Sequence, residues 1–136
     1  MAVIHGKSAD HNYNSVALDG SLRSIDVNID VDTPDTSCAG DSAKEAIAGM
    51  YGWGMEAEYR WNPAASENDA IIFAQILAAA AATCDVTPGG GTPTATNPKY
   101  TGSAFVKSYR VSVPCDGVIE ARASYQGTST LTRAVA

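Results

Sequence analysis

Between Ser21 and Val31 the chain alternates with a period of two, placing Ile25, Val27, Ile29 and Val31 on one side and Asp26, Asn28, Asp30 and Asp32 on the other. Such alternation predicts a strand with one face buried and one in water. The run Asn14 to Leu18 precedes it, and Asp19-Gly20 between two apolar-alternating runs predicts a tight hairpin. The same period returns from Met50 to Trp61, where Tyr51, Trp53, Met55, Ala57, Tyr59 and Trp61 alternate with Gly52, Gly54, Glu56, Glu58 and Arg60. These tyrosines and tryptophans alternate as core residues should.

Other stretches break the alternation. Thr33 to Gly49 carries Pro34, Asp35, Gly40 and Asp41, which predicts a long connection with room for one helical turn at Ser42 to Ala46. Asn62-Pro63 stops the aromatic strand, and Ser66 with Asp69 three residues on reads as the N-cap of a helix over about Glu67 to Ala82. Ile72, Phe73, Ile76, Leu77 and Ala80 share one face of it, and its alanines permit close approach to a sheet. Cys84 to Gly102, with Pro88, Gly89, Gly90, Gly91, Pro93 and Pro98, reads as a long loop. Strands follow over Ser103 to Val113, Val118 to Gln126 and Thr128 to Arg133, the first two flanking a second Asp-Gly turn at Asp116-Gly117. Five or six strands and one helix give an α+β chain, mainly β, in which the helix covers one open end or face of the sheet.

Composition narrows the functions available to such a fold. The 136 residues fit a single domain over 1–136, and 45% hydrophobic against 18% charged residues fits a folded chain. A net charge of −6 with no clustered lysine and arginine argues against tight nucleic-acid binding. The uncharged run Ala70 to Thr83 is too short to span a bilayer, and the N-terminus lacks the basic start and apolar core of a secretory leader, so a protein without membrane insertion, made in a cytoplasm, is expected. Cys38, Cys84 and Cys115 are odd in number and widely spaced, and read as reduced thiols.

Candidate chemistry is sparse. His5 and His11 have no convergent partners nearby in sequence. Asp26, Asp30 and Asp32 are spaced like the first ligands of a calcium loop, yet the glycine and terminal glutamate of such a loop are missing. Gly89-Gly90-Gly91 opens no helix and precedes no lysine-threonine pair, so it makes no phosphate cradle. Glu56 and Glu58 face one way, as two acids on any exposed strand do. No enzyme, metal or cofactor is expected.

Several segments taken in order resemble the major tail tube proteins of long-tailed, siphovirus-type bacteriophages. These are His5-Gly6-Lys7, then Thr33-Pro34-Asp35-Thr36 leading into Gly40-Asp41-Ser42-Ala43-Lys44-Glu45, then the aromatic strand ending at Trp61. The closing set is Ser108-Tyr109 to Pro114, Asp116-Gly117-Val118, Gln126-Gly127 and Leu131-Thr132-Arg133. The resemblance implies an antiparallel β-sandwich or partly open barrel with one flanking helix. It further implies six copies closed into a ring whose inner wall is a continuous β-barrel, and rings stacked into the tail of a virion assembled in the host cytoplasm. Its partners would be other copies, a tape measure protein and other tail proteins, with DNA passing through unbound. The polar strand faces carrying Asp26, Asp30, Glu56, Glu58 and Glu120 are then candidates to line the channel, and the acidic surplus suits a wall that lets DNA slide. The Thr33 to Gly49 connection resembles the family's subunit-contacting loop, with Thr33, Asp35, Asp41, Lys44 and Glu45 as candidate contacts. The Cys84 to Gly102 loop would order only on assembly. Rival expectations are a tail terminator or distal ring protein of the same fold, and a monomeric β-sandwich binding module.

Overall fold

In the computed structural model, which describes residues 6–40, 43 and 46–135, the chain forms eight strands and one α-helix. The strands are β1 (Asp10–Tyr13), β2 (Val16–Ala17), β3 (Leu22–Val31), β4 (Tyr51–Arg60), β5 (Ala82–Thr87), β6 (Lys99–Ser112), β7 (Glu120–Gly127) and β8 (Thr132–Ala134), and the helix is α1 (Asn68–Ala78). All pairings are antiparallel, in the order β2-β1-β5-β6-β7-β4-β3, with β8 also on β6. The sheet does not close into a barrel.

The long strand β6 joins two halves. Its first part pairs with β5 as far as Ala104, and its second part pairs with β7 to Ser112, with a register shift between Val106 and Ser108. One half is therefore β2-β1-β5 with the start of β6, and the other is the rest of β6 with β7, β4 and β3. Their apolar faces meet in a core of Tyr13, Cys84, Val86 and Ala104 against Met55, Tyr59, Ala123 and Tyr125. The alternation in β4 is realised as expected, with Trp53, Met55, Ala57 and Tyr59 all buried, whereas Tyr51 at the strand's start is exposed.

Trp53 shows how closely the halves approach. Its indole nitrogen donates to the Ser129 carbonyl at 2.6 Å, and its ring lies against Gly102 of β6 and Gly127 of β7, where a side-chain methyl would collide. Glycine is required at both positions because of that close approach.

Four expectations change. The first hairpin turns at Asn14-Ser15, not at Asp19-Gly20: both residues have positive φ (54° and 62°), the geometry of a type I′ turn, and Asp19–Ser21 forms a short 3-10 turn. The helix is shorter than expected. It starts after Glu67, with Ser66 left-handed at φ 62° and no side-chain cap, and stops where Ala79 turns left-handed. Of its expected apolar face only Ile72 is buried among the core, while Phe73 and Leu77 are exposed. Finally, the chain from Ala82 to Thr87, expected as helix end and loop, is the interior strand β5, paired with β1 and β6.

The remaining glycine-proline loop is tied within the chain. Asn97 accepts from the Gly89 N–H and donates to the Gly90 carbonyl, both at 2.9 Å, and the Gly91 N–H donates to Asp10 at 2.8 Å.

Candidate assembly surfaces

Strands β3, β4, β7 and the second part of β6 form a four-strand face whose outer side is polar. Alternation and register bring all five expected acids to it: Asp26 stands opposite Glu56, Glu58 opposite Arg122, and Glu120 opposite Arg60, while Asp30 lies opposite Gly52. The structure adds what strand-by-strand reading missed, because the same face carries Arg23, Arg60, Lys107, Arg110 and Arg122. Arg122 pairs with Glu58 at 3.5 Å and Arg23 pairs with Glu120. The five acids thus share their face with as many bases, and the acidic surplus of the whole chain is not concentrated there. Charge is instead sorted sideways: β6 contributes Lys107 and Arg110, and β3 contributes Asp26 and Asp30 beyond Arg23.

Both lateral edges of this face are open among the described residues. There, β3 pairs with β4 alone, and β6 beyond Ala104 has β7 on one side and no strand on the other. Open edges of this length are templates for another strand.

On the inner side the apolar surface outruns the core. Ile25 and Val27 pack on it, but Ile29 and Val31 farther along β3 are about half exposed, at 51% and 49%. With Tyr51, Tyr100, Leu131 and Arg133 they line an apolar hollow of about 360 Å³.

The helix stands beside the β6 edge. Asn68 is buried at its start, donating to the Arg60 carbonyl and to Ser21 Oγ at 2.8 Å each, which anchors the helix to the end of β4. Tyr109 on β6 donates to Asp69 at 2.7 Å. Asp69, Phe73 and Leu77 are spaced by four residues and so form one stripe. Phe73 is 53% exposed and Leu77 72% exposed.

The connection from β3 to β4 projects as an arm. Asp32 exchanges backbone hydrogen bonds with Met50 and Gly49, the Ile47 N–H donates to the Pro34 carbonyl, and Asp35 bridges Ala46, so its limbs run side by side. Thr33 and Asp35 are exposed on it; the expected contacts Asp41, Lys44 and Glu45, like His5, lie outside the described residues. Hydrogen bonds from Ser37 hold the Asp35 carboxyl below its ordinary range. Met50 at the arm's base is 82% exposed, and Cys38 is exposed as well.

His11 has the partners that its sequence neighbours lacked. It is fully buried, with Nδ1 at 2.8 Å from the Asp85 carbonyl and Nε2 at 2.6 Å from Tyr59 Oη, which in turn is 2.7 Å from Tyr125 Oη. A carbonyl only accepts, so Nδ1 carries the proton, Tyr59 donates to Nε2, and Tyr125 donates to Tyr59. Burial pushes the His11 pKa down and those of Tyr59 and Tyr125 up, so all three stay neutral. The chain of hydrogen bonds stitches β1 and β5 to β4 and β7 and reaches no surface.

No protein-family model matches the chain, and no curated protein matches its sequence. Solved structures do. The virion of a native gene transfer agent particle contains a chain of TM-score 0.78 at 13% identity, covering 98% of this chain and 100% of that one. The SPP1 tail tube matches with TM-score 0.77 at 12% identity over 98% of this chain and 81% of that one. The tail of an empty gene transfer agent particle, computed with C6 symmetry, matches with TM-score 0.70 at 13% identity, covering 85% and 83%. At identities of 12–13% the likeness lies in the fold, shared over 85–98% of this chain, and this chain has the phage tail tube fold.

Proposed function

We propose that the chain is the structural subunit of a phage tail tube, assembling into hexameric rings that stack into the conduit for viral DNA. One observation carries this: a four-strand face, polar outside and apolar within, that ends in an open strand edge on both sides. A face of that kind satisfies its edges when β3 of one copy meets β6 of the next, and a contact between different surfaces propagates around a ring until it closes. Likeness to a six-fold tail and to a tail tube supports ring and tube as the forms taken.

In that assembly the polar face carrying Asp26, Asp30, Glu56, Glu58 and Glu120 lines the channel. Its balanced charge suits passage: each acid beside a base lowers the affinity of that base for phosphate, and affinity is what would arrest sliding DNA. The arm, with Thr33, Asp35, Asp41, Lys44 and Glu45, contacts copies in the adjacent ring. A tape measure protein occupies the channel before ejection, other tail proteins close the tube, and the subunit resides in the virion tail after assembly in the host cytoplasm. It performs no catalysis, and 1–136 act as one domain.

Negative-stain microscopy of the concentrated protein tests the proposal. Long hollow tubes of uniform width are the expected result. Single rings that never extend would convert the assignment to a terminator or distal ring component, and a monomer at every concentration would end it.

A further inference from the structure

Resting on the tube assignment, we infer that the exposed apolar stripe of α1 is a seat for the inner face of β3 from the neighbouring copy, in a register that sets Asp26 opposite Arg110. Three independent features of the two edges converge on this pairing.

The first is direction. β3 runs toward the arm and β6 runs away from it, since each is antiparallel to its neighbour through β4 and β7. Copies related by rotation about the ring axis therefore present β3 and β6 antiparallel to each other. The second is charge on the outer side, where the β3 edge carries Asp26 and Asp30 and the β6 edge carries Lys107 and Arg110. With Asp26 opposite Arg110, Asp30 lies beside Lys107. Complementary charge across an interface fixes register and suppresses wrong pairings.

The third is apolar surface on the inner side. The same register sets Ile25 against Val111, Val27 against Tyr109 and, past the irregularity at Lys107, Ile29 against Val106. These six residues all point to the core side of their own strands. Helix α1 lies on that side of β6, with the stripe of Phe73 and Leu77 continuing from Asp69, which Tyr109 holds. Ile29 and Val31 are exposed in the lone copy, and so are Phe73, Leu77 and, at 39%, Val111. Seated together, each set removes the other from water, which explains why neither is buried within its own chain.

Charge exchange and crosslinking test the register. Asp26→Arg and Arg110→Asp are each expected to raise the protein concentration needed for assembly by roughly tenfold or more, through like charges facing each other. The double exchange should restore assembly, and unchanged thermal unfolding of every variant would show that the fold is intact. In a Cys38→Ser, Cys115→Ser background, Ile29→Cys with Leu77→Cys treated with dibromobimane, which alkylates two thiols in reach, should give a ladder of linked chains. Assembly of the wild type with single exchanges that assemble equally well and no ladder would overturn the register while leaving the tube assignment in place. A wild type that never forms rings would remove both.

Discussion

At the scale of single residues, the buried chain Tyr125 to Tyr59 to His11 to Asp85 makes two predictions. His11 has a lowered pKa in the fold, from an ordinary 6.5, because burial disfavours the imidazolium. The unfolded chain thus binds a proton that the folded chain refuses, and stability is lost as pH falls below about 6.5 toward the depressed value, not as pH rises. Melting temperatures measured between pH 8 and pH 5 should fall more steeply for the wild type than for His11→Gln, roughly within the histidine range; parallel curves would refute the assignment. Tyr59→Phe removes the central hydroxyl and leaves His11 Nε2 and the Tyr125 hydroxyl without their partner, at a cost of about 2 kcal/mol or more in urea unfolding. Gly127→Ala is expected to destabilise by about 1–3 kcal/mol, because its methyl meets the Trp53 ring. A shift in tryptophan emission would report that displacement directly.

At the scale of elements, the arm and the domain beneath it are separable. Within residues 32–50 the backbone hydrogen bonds join one limb to the other, Asp32 to Met50 and Gly49 and Pro34 to Ile47, and nearly all the described residues are exposed. Replacing 34–47 by Asn-Gly should leave unfolding by urea unchanged to about 0.5 kcal/mol or improve it slightly, since a shorter loop closes at less entropic cost. The same variant should form rings that no longer stack, and microscopy would show tubes instead if the arm were idle.

Elements also differ in how plainly the sequence announced them. β3 and β4 were legible because one face meets the core and the other water, which writes a period of two into the chain. β5 was hidden by Ala78 to Ala82, a run with helical propensity that continues past the true helix end; nothing but the backbone of Ala79 marks the stop, with neither glycine nor proline to signal it. The Asn14-Ser15 turn lacks the glycine that usually betrays such geometry. His11 looked isolated because its partners lie 48 and 74 positions away. The five acids of the polar face were found strand by strand, but their basic neighbours Lys107, Arg110 and Arg122 become visible only once β6 and β7 are set beside β4.

At the scale of the whole molecule, the two rims of the four-strand face are unlike. The arm with Cys38 rises from the rim where β3 ends, and the β6–β7 turn, residues 113–119 with Cys115, closes the opposite rim. A wall built from such subunits keeps the charge balance of one face: Glu56→Lys should leave tubes intact but slow DNA release, and unchanged infectivity would remove any electrostatic role for that wall. The unlike rims have a further consequence. Rings stacked with one orientation build a filament that has a front and a back, so a maleimide-gold label coupled to Cys38 should decorate one terminus of a finished tube and a label on Cys115 the other. Growth of the proposed tube would then have a heading inscribed in every subunit, and whatever begins it would decide, by the rim it covers, toward which terminus the rest is laid down.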